Sequence, residues 1–278
     1  MLLPAAGMAE ESLYSPAYGL SAGAWLWQPG LQYEDTHYRF NAQIPPPLPL
    51  EISNAGDSRF LTMLQGFQYG LTDQWSVAVQ GRYAFRMKQN ENNPGELKNG
   101  IRSPRLIAQW RGELDPRWVL TANAGFQYNP EINSGLNSYF AGSRLTYRWD
   151  TNQTLSLNWL ETQFRDIDSR LSTLEAQLTW PMGVYLGSVT LATAKLAGGD
   201  FEGITLNDLP MSLSGTRDAR RYSAVTIGVS RPIAENVWLG IDYYRETFTT
   251  DYRIEPGNGV ADDNSRLQEL RITARVLF

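Results

Sequence analysis

The chain closes on a strict two-residue alternation. In Leu270-Arg-Ile-Thr-Ala-Arg-Val-Leu-Phe278, one parity holds Leu270, Ile272, Ala274, Val276 and Phe278, and the other holds Arg271, Thr273 and Arg275. Leu277 is the only apolar exception. A period of two places alternate side chains on opposite faces of an extended strand. Chain ends are ordinarily frayed and polar, so an apolar face that runs to the last residue needs an apolar medium beside it. Lipid against one face and a watery lumen against the other produce this pattern.

The same alternation recurs along the sequence. Trp75, Val77, Val79, Tyr83 and Phe85 oppose Ser76, Gln80, Arg82 and Arg86; Leu106, Ala108 and Trp110 oppose Arg105, Gln109 and Arg111. Trp118, Leu120, Ala122, Phe126 and Tyr128 oppose Thr121, Asn123 and Gln127, and Tyr139, Ala141, Leu145, Tyr147 and Trp149 oppose Arg144, Thr146 and Arg148. Leu174, Ala176, Leu178 and Trp180 oppose Glu175 and Gln177; Val237, Leu239, Ile241 and Tyr243 oppose Asp242, Tyr244 and Glu246. The apolar parity tends to begin or end on an aromatic residue beside a short turn, as at Trp110, Trp118 and Trp149, where an interfacial girdle belongs.

Short connectors (70–74, 111–116, 150–152, 181–183 and 232–236) alternate with longer ones near 34–57, 88–103, 129–138, 165–170, 198–219 and 250–265. This predicts an all-β, antiparallel, up-and-down transmembrane barrel with short periplasmic turns and longer extracellular loops. About twelve strands are expected, near 18–33, 58–70, 75–87, 104–111, 117–128, 138–149, 153–164, 171–180, 184–197, 220–231, 237–249 and 266–278. In the first of these, Trp25 and Trp27 stand on the opposite parity to Leu20, Ala22 and Leu26.

Composition removes the competing classes. Mean hydropathy is -0.37, and the uncharged stretch 176–194 is broken by Pro181, Gly183 and Gly187, so a helical membrane span is not expected there. A closed barrel is the other structure that satisfies its backbone in lipid. An aromatic-rich soluble β-sandwich is the alternative that composition alone leaves open. With no cysteine, disulfides and thiolate chemistry are excluded, and a net charge of -5 argues against nucleic-acid binding. Residues 1–9, ending in Ala9 before Glu10-Glu11, are expected to be a signal-peptide remnant or a disordered tail, and 10–278 a single barrel domain.

The informative polar constellation is the set of charges on the lumen parity. Arg82, Arg86, Arg105, Arg111, Arg144 and Arg148 fall on strands three, four and six; Glu175, Asp242, Glu246 and Glu269 fall on strands eight, eleven and twelve, beside Arg271 and Arg275. A basic wall facing an acidic wall would orient small anionic or dipolar solutes. The same charges could instead lock together and fill the interior. The one histidine, His37, is placed at the start of the first long loop with no serine near it. No catalytic set, metal site or cofactor is expected, and the chain reads as a non-enzyme. Acidic runs such as Asp262-Asp263-Asn264 have the composition of solvated turns as much as of calcium loops.

Tyr69-Gly-Leu-Thr-Asp-Gln-Trp-Ser-Val-Ala-Val79 resembles a hairpin of the outer-membrane transporter-like barrels, including the phenol-degradation-associated and porin-like family. Gly100-Ile-Arg-Ser-Pro-Arg-Leu-Ile-Ala108 is similar to the strand that follows it in those proteins. The terminal Phe278 resembles the signal read by the barrel-assembly machinery. The resemblance implies passage of small molecules across the outer membrane of a Gram-negative bacterium. The expectation is therefore a passive channel for small polar or anionic solutes, with membrane lipid around it. The alternative is a non-conducting barrel scaffold or secretion-complex partner.

Overall fold

A computed structural model describes residues 18–44, 50–89, 100–128, 137–164, 169–205, 212–255 and 259–278. Residues 1–9 and the proline run 45–49 therefore lie outside the described residues. The described chain is built from β1 (Trp25–Trp27), β2 (Gly30–Ile44), β3 (Leu50–Gly70), β4 (Trp75–Gln89), β5 (Gly100–Glu113), β6 (Trp118–Gln127), β7 (Ser138–Arg148) and β8 (Thr154–Phe164). There follow β9 (Ser169–Met182), β10 (Tyr185–Leu196), β11 (Gly199–Thr205), β12 (Ser212–Arg217), β13 (Arg220–Ala234), β14 (Val237–Glu255) and β15 (Gly259–Leu277).

Each neighbour pair is antiparallel, and β15 pairs with both β14 and β2, so the sheet closes. β1 and β2 share one register against β3 and β15 and act as a single stave interrupted at Gln28-Pro29. The barrel therefore has twelve staves, with the β11–β12 hairpin added outside it on the end of β14. Closure leaves no edge in the lipid-spanning wall, as a backbone in lipid requires.

The faces are inverted relative to a soluble protein. Leu31, Met63, Phe67, Val79, Leu106, Leu157, Leu174, Leu191, Ile227 and Ile272 are all exposed on the outside. Small polar side chains are buried inside, among them Thr62, Ser76, Thr121, Thr146, Ser156, Thr179 and Ser230. A water-soluble sandwich would expel the first set from water and expose the second, so the lipid-facing barrel is the reading that fits.

The short-turn rim carries an aromatic girdle. Trp25 lies 4.6 Å from Tyr69, Trp118 lies 4.8 Å from Tyr147, and Tyr147 lies 5.0 Å from Trp149 (ring centroids). Trp75 and Trp110 are register partners. Two of the tight connections need a left-handed backbone. They obtain it from Gly183 (φ 65°) and Asn152 (φ 60°), residue types that tolerate that region.

Three expectations change. The first stave begins at Trp25 and not at residue 18, because Tyr18–Ala24 turns into the barrel mouth. This resolves the parity conflict: Trp25 faces out, while Leu20 and Leu26 are buried together. Much of the expected loops 34–57 and 250–265 is strand, which places His37 inside β2, and the expected loop 198–219 carries the β11–β12 hairpin. The last two share a cause. Above the lipid both faces of a strand meet water, so the apolar alternation stops although Thr, Tyr and Val still favour an extended ladder.

Candidate functional site

A cavity of about 530 Å³ lies inside the barrel. Its wall is contributed by one arc of staves, β1–β5 together with β9, β10 and β13–β15. Arg82 and Arg105 enter from β4 and β5, and Arg271, Arg275 and Asp242 from β15 and β14. Gln32, Gln80, Gln177, Ser188, Thr190, Thr226 and Ser230 supply uncharged hydrogen-bonding groups. Four guanidiniums thus line the space with one carboxylate among the described residues.

The local sequence sets each of these groups in place. Arg105 donates from Nε to Gln127 Oε1 (2.6 Å), its register partner on β6. Arg82 is close enough to Arg105 for the two like charges to repel. Arg271 bonds the buried Glu269, and its guanidinium lies 5.2 Å from the Tyr244 ring centroid. Arg271 Nε and Gln32 Nε2 are buried donors with no protein acceptor among the described residues. Two such donors, with the Arg82 and Arg105 guanidiniums beside them, suit an anion or a polar solute rich in acceptors.

Asp242 is set opposite Arg271 in the β14–β15 register and leans over Gly228 on β13. A side chain at Gly228 would overlap the Asp242 carboxylate and the Ser188 hydroxyl, so this glycine leaves room for the acid. Because Asp242 is the cavity's one described carboxylate, Asp242→Asn should raise anion preference. The check is the reversal potential of a planar bilayer under a salt gradient; no change would show that Asp242 lies off the solute path.

Most of the remaining candidate residues have neighbours of opposite charge or hydrogen-bond partners elsewhere in the lumen. Arg111 and Arg148 both donate to Glu113 (3.0 and 3.1 Å) near the short-turn rim. Arg144 lies in the field of Glu175, which accepts from Asn158 (2.8 Å). Tyr244 donates to Glu246. The side chain of Arg86 lies outside the described residues. The arrangement is therefore not two simple walls of opposite sign: Arg271 and Arg275 bring positive charge to the side where the acids cluster, and Glu246 and Glu269 are each engaged by a neighbour.

Sequence reasoning missed Gln28, Gln32, Glu113 and Asn158. The parity conflict around Trp25 and Trp27 hid the first two; with those tryptophans outward, Gln28 and Gln32 fall inward. Glu113 sits at the end of β5, where it had been assigned to a turn.

Identifiable groups stand beyond both ends of the cavity. At the short-turn end, Leu20 and Leu26 pack with Tyr18, Ala24, Trp238 and Leu277, while Gly19 lies against the Arg111 side chain on β5. Ala22 N–H donates to Asp73 Oδ1 (3.0 Å), and Gly23 N–H to the Gly70 carbonyl (2.8 Å). Tyr18–Ala24 thus lies across the mouth from β5 to β15.

At the long-loop end, Arg220 donates to Thr250 Oγ1 (2.8 Å), Tyr252 OH (3.3 Å) and Asp263 Oδ2 (3.1 Å) and stacks on Phe248 (4.5 Å). Burial pushes the Asp263 carboxyl up from the usual carboxylate range, and Arg220 opposes that rise. Arg220→Ala would leave Asp263 partly buried without its counter-charge. It should cost about 1–3 kcal/mol in urea unfolding, and the double variant with Asp263→Asn should recover most of it. If the double variant recovers nothing, the pair is not what holds this end.

Closed antiparallel staves, an outward apolar belt with an aromatic girdle and a polar lumen define a bacterial outer-membrane β-barrel. No protein-family model matches the sequence, and no curated protein matches it. Among solved structures, the fold is similar to an outer-membrane channel from Pseudomonas putida F1. The two share 12% identity and a TM-score of 0.56, over 96% of this chain and 100% of that one. Weaker similarities are to the outer-membrane protease OmpT from Escherichia coli (9% identity, TM-score 0.45, 92% and 97% covered) and to the KdgM porin (7%, 0.44, 87% and 98%). At these identities the likeness is one of fold, and only the first is close enough to be used for that.

Proposed function

We propose that the protein is an outer-membrane channel that passively passes small anionic or polar solutes, with the arginine-lined cavity as its selective station. The observation that supports this is the charge of that wall: among the described lining residues four guanidiniums stand with one carboxylate inside a closed barrel, Arg271 being bonded to Glu269. Positive groups on a low-dielectric wall concentrate anions and repel cations. The polar neighbours Gln32, Gln177, Ser188 and Thr226 offer a desolvating solute replacement hydrogen bonds. Phe278, exposed at the end of β15, fits the reading of a handle for the assembly machinery.

Reconstitution into planar bilayers tests the proposal. Discrete conductance steps are expected, with a reversal potential under a potassium chloride gradient that reports anion preference. A cation preference would overturn the role given to the arginines. Silence at all voltages, from protein shown to be folded, would favour the non-conducting scaffold.

A further inference from the structure

The outer face carries a second cationic cluster, unrelated to the lumen. Arg245 is the first outward position on β14 beyond the lipid-facing Tyr243. Arg266 and Arg39 stand two and three outward positions beyond Leu270 on β15 and Tyr33 on β2. On the other side of β14, Arg221 and Lys195 occupy the corresponding ends of β13 and β10. All five side chains are exposed. Each outward step along a strand rises about 7 Å, so the group occupies the zone just past the apolar belt on the long-loop side.

The register makes this a continuous surface. Arg266 is directly opposite Thr247, so it is diagonal to Arg245, and it is directly opposite His37, so it is diagonal to Arg39. Such diagonals are about 7–8 Å. Arg221 is directly opposite Lys195. Like charges set directly across a ladder repel, and an anion lying over them removes that cost.

No side chain of the five has an ion pair or hydrogen bond to another described residue, whereas several acids beside them are taken. Asp35 pairs with Arg59 (3.4 Å), Asp57 with His37 (2.7 Å), and Asp262 accepts from Asn41 and Asn264. Asp251 is a further outward acid, level with Asp262 and farther from the lipid. The cluster is local, since the chain as a whole carries a net charge of -5.

We propose that the outer face of β10, β13–β15 and β2 docks the phosphorylated sugar headgroup of lipopolysaccharide. The lipid of the leaflet on the long-loop side carries phosphates at the level where these cations stand. Arginine binds phosphate through paired N–H donors, and the interleaved Thr247, Thr249, Asn264 and Gln268 offer partners to sugar hydroxyls. The inference rests on the membrane orientation and is independent of conduction.

The test is the affinity of the full-length protein, refolded in detergent, for bisphosphorylated lipid A and for the same lipid stripped of phosphate. Three variants are compared: Arg39→Ser/Arg245→Ser/Arg266→Ser, Lys195→Ser/Arg221→Ser, and a control at the opposite rim, Arg117→Ser/Arg231→Ser. The wild type should prefer the phosphorylated lipid by tenfold or more. At about fivefold for each surface cation, the triple variant should lose on the order of a hundredfold and the double variant about twenty-fivefold. The control should stay within about twofold.

Heat-dependent gel migration reports folding of each variant. If the triple variant does not fold, the double variant carries the test alone. Equal affinity for the stripped lipid, or unchanged binding in a folded variant, would overturn the proposal. So would lipid-free dimers that depend on the same arginines, which would assign the face to a second copy.

Discussion

Replacing Arg82 and Arg105 together with Glu should invert the ion preference of the conducting barrel. A unit charge about 8 Å from a solute contributes about 0.5 kcal/mol in bulk water and about 2 kcal/mol at an effective dielectric near 20. The double reversal exchanges two positive charges for two negative ones, which amounts to four such contributions. Even the water limit gives about 2 kcal/mol, or roughly thirtyfold in relative permeability. Screening at physiological salt acts over about 8 Å and lowers this water limit to about fourfold. Arg82→Gln/Arg105→Gln should show about half the effect on a logarithmic scale. An unchanged reversal potential in the Glu pair would remove this cavity from the conduction path.

Freeing the segment ahead of β1 should raise conductance severalfold. Tyr18–Ala24 holds its place across the mouth by Leu20, which is 6% exposed, and by the backbone bonds to Asp73 and Gly70. Burying a leucine side chain is worth about 1.5–3 kcal/mol, and a carboxylate in the same apolar nest costs more than that. Leu20→Asp should therefore eject the segment while leaving every stave paired. The measurement is single-channel conductance beside heat-dependent gel migration, which reports that the barrel is intact. A folded Leu20→Asp barrel with wild-type conductance would show that the constriction lies elsewhere, and the Arg220 cluster at the other end would be the next to remove.

The lipid-spanning half of the fold was legible in the sequence because lipid imposes a period of two. Strands such as Trp118–Gln127 and Ser169–Met182 carry that period through most of their length. The outer half was not legible, because a strand wetted on both faces has no hydrophobic parity; β2 and β14 therefore run well past the ends that alternation assigns them. For the site, parity reports the face but not the height or the partner. It assigned Arg82 and Arg111 to one lumen, yet Arg82 lines the cavity and Arg111 is bound to Glu113 beneath the N-terminal segment. Cross-strand register decides such differences, and register depends on turn lengths and bulges, such as the one between Gln80 and Arg82.

The break at Gln28-Pro29 gives the ring a preferred place to breathe. Pro29 accepts from Ala274 N–H (2.9 Å) but has no N–H to return, so the joint between first and last staves lacks one rung. A closed ring has no free end from which to fray, so local opening begins where a rung is missing. In deuterated buffer, the amides of β15 near Ala274 should exchange sooner than those of β8 and β9 at the same depth. Within that joint, where the wall loosens first follows from one imino acid in the first stave.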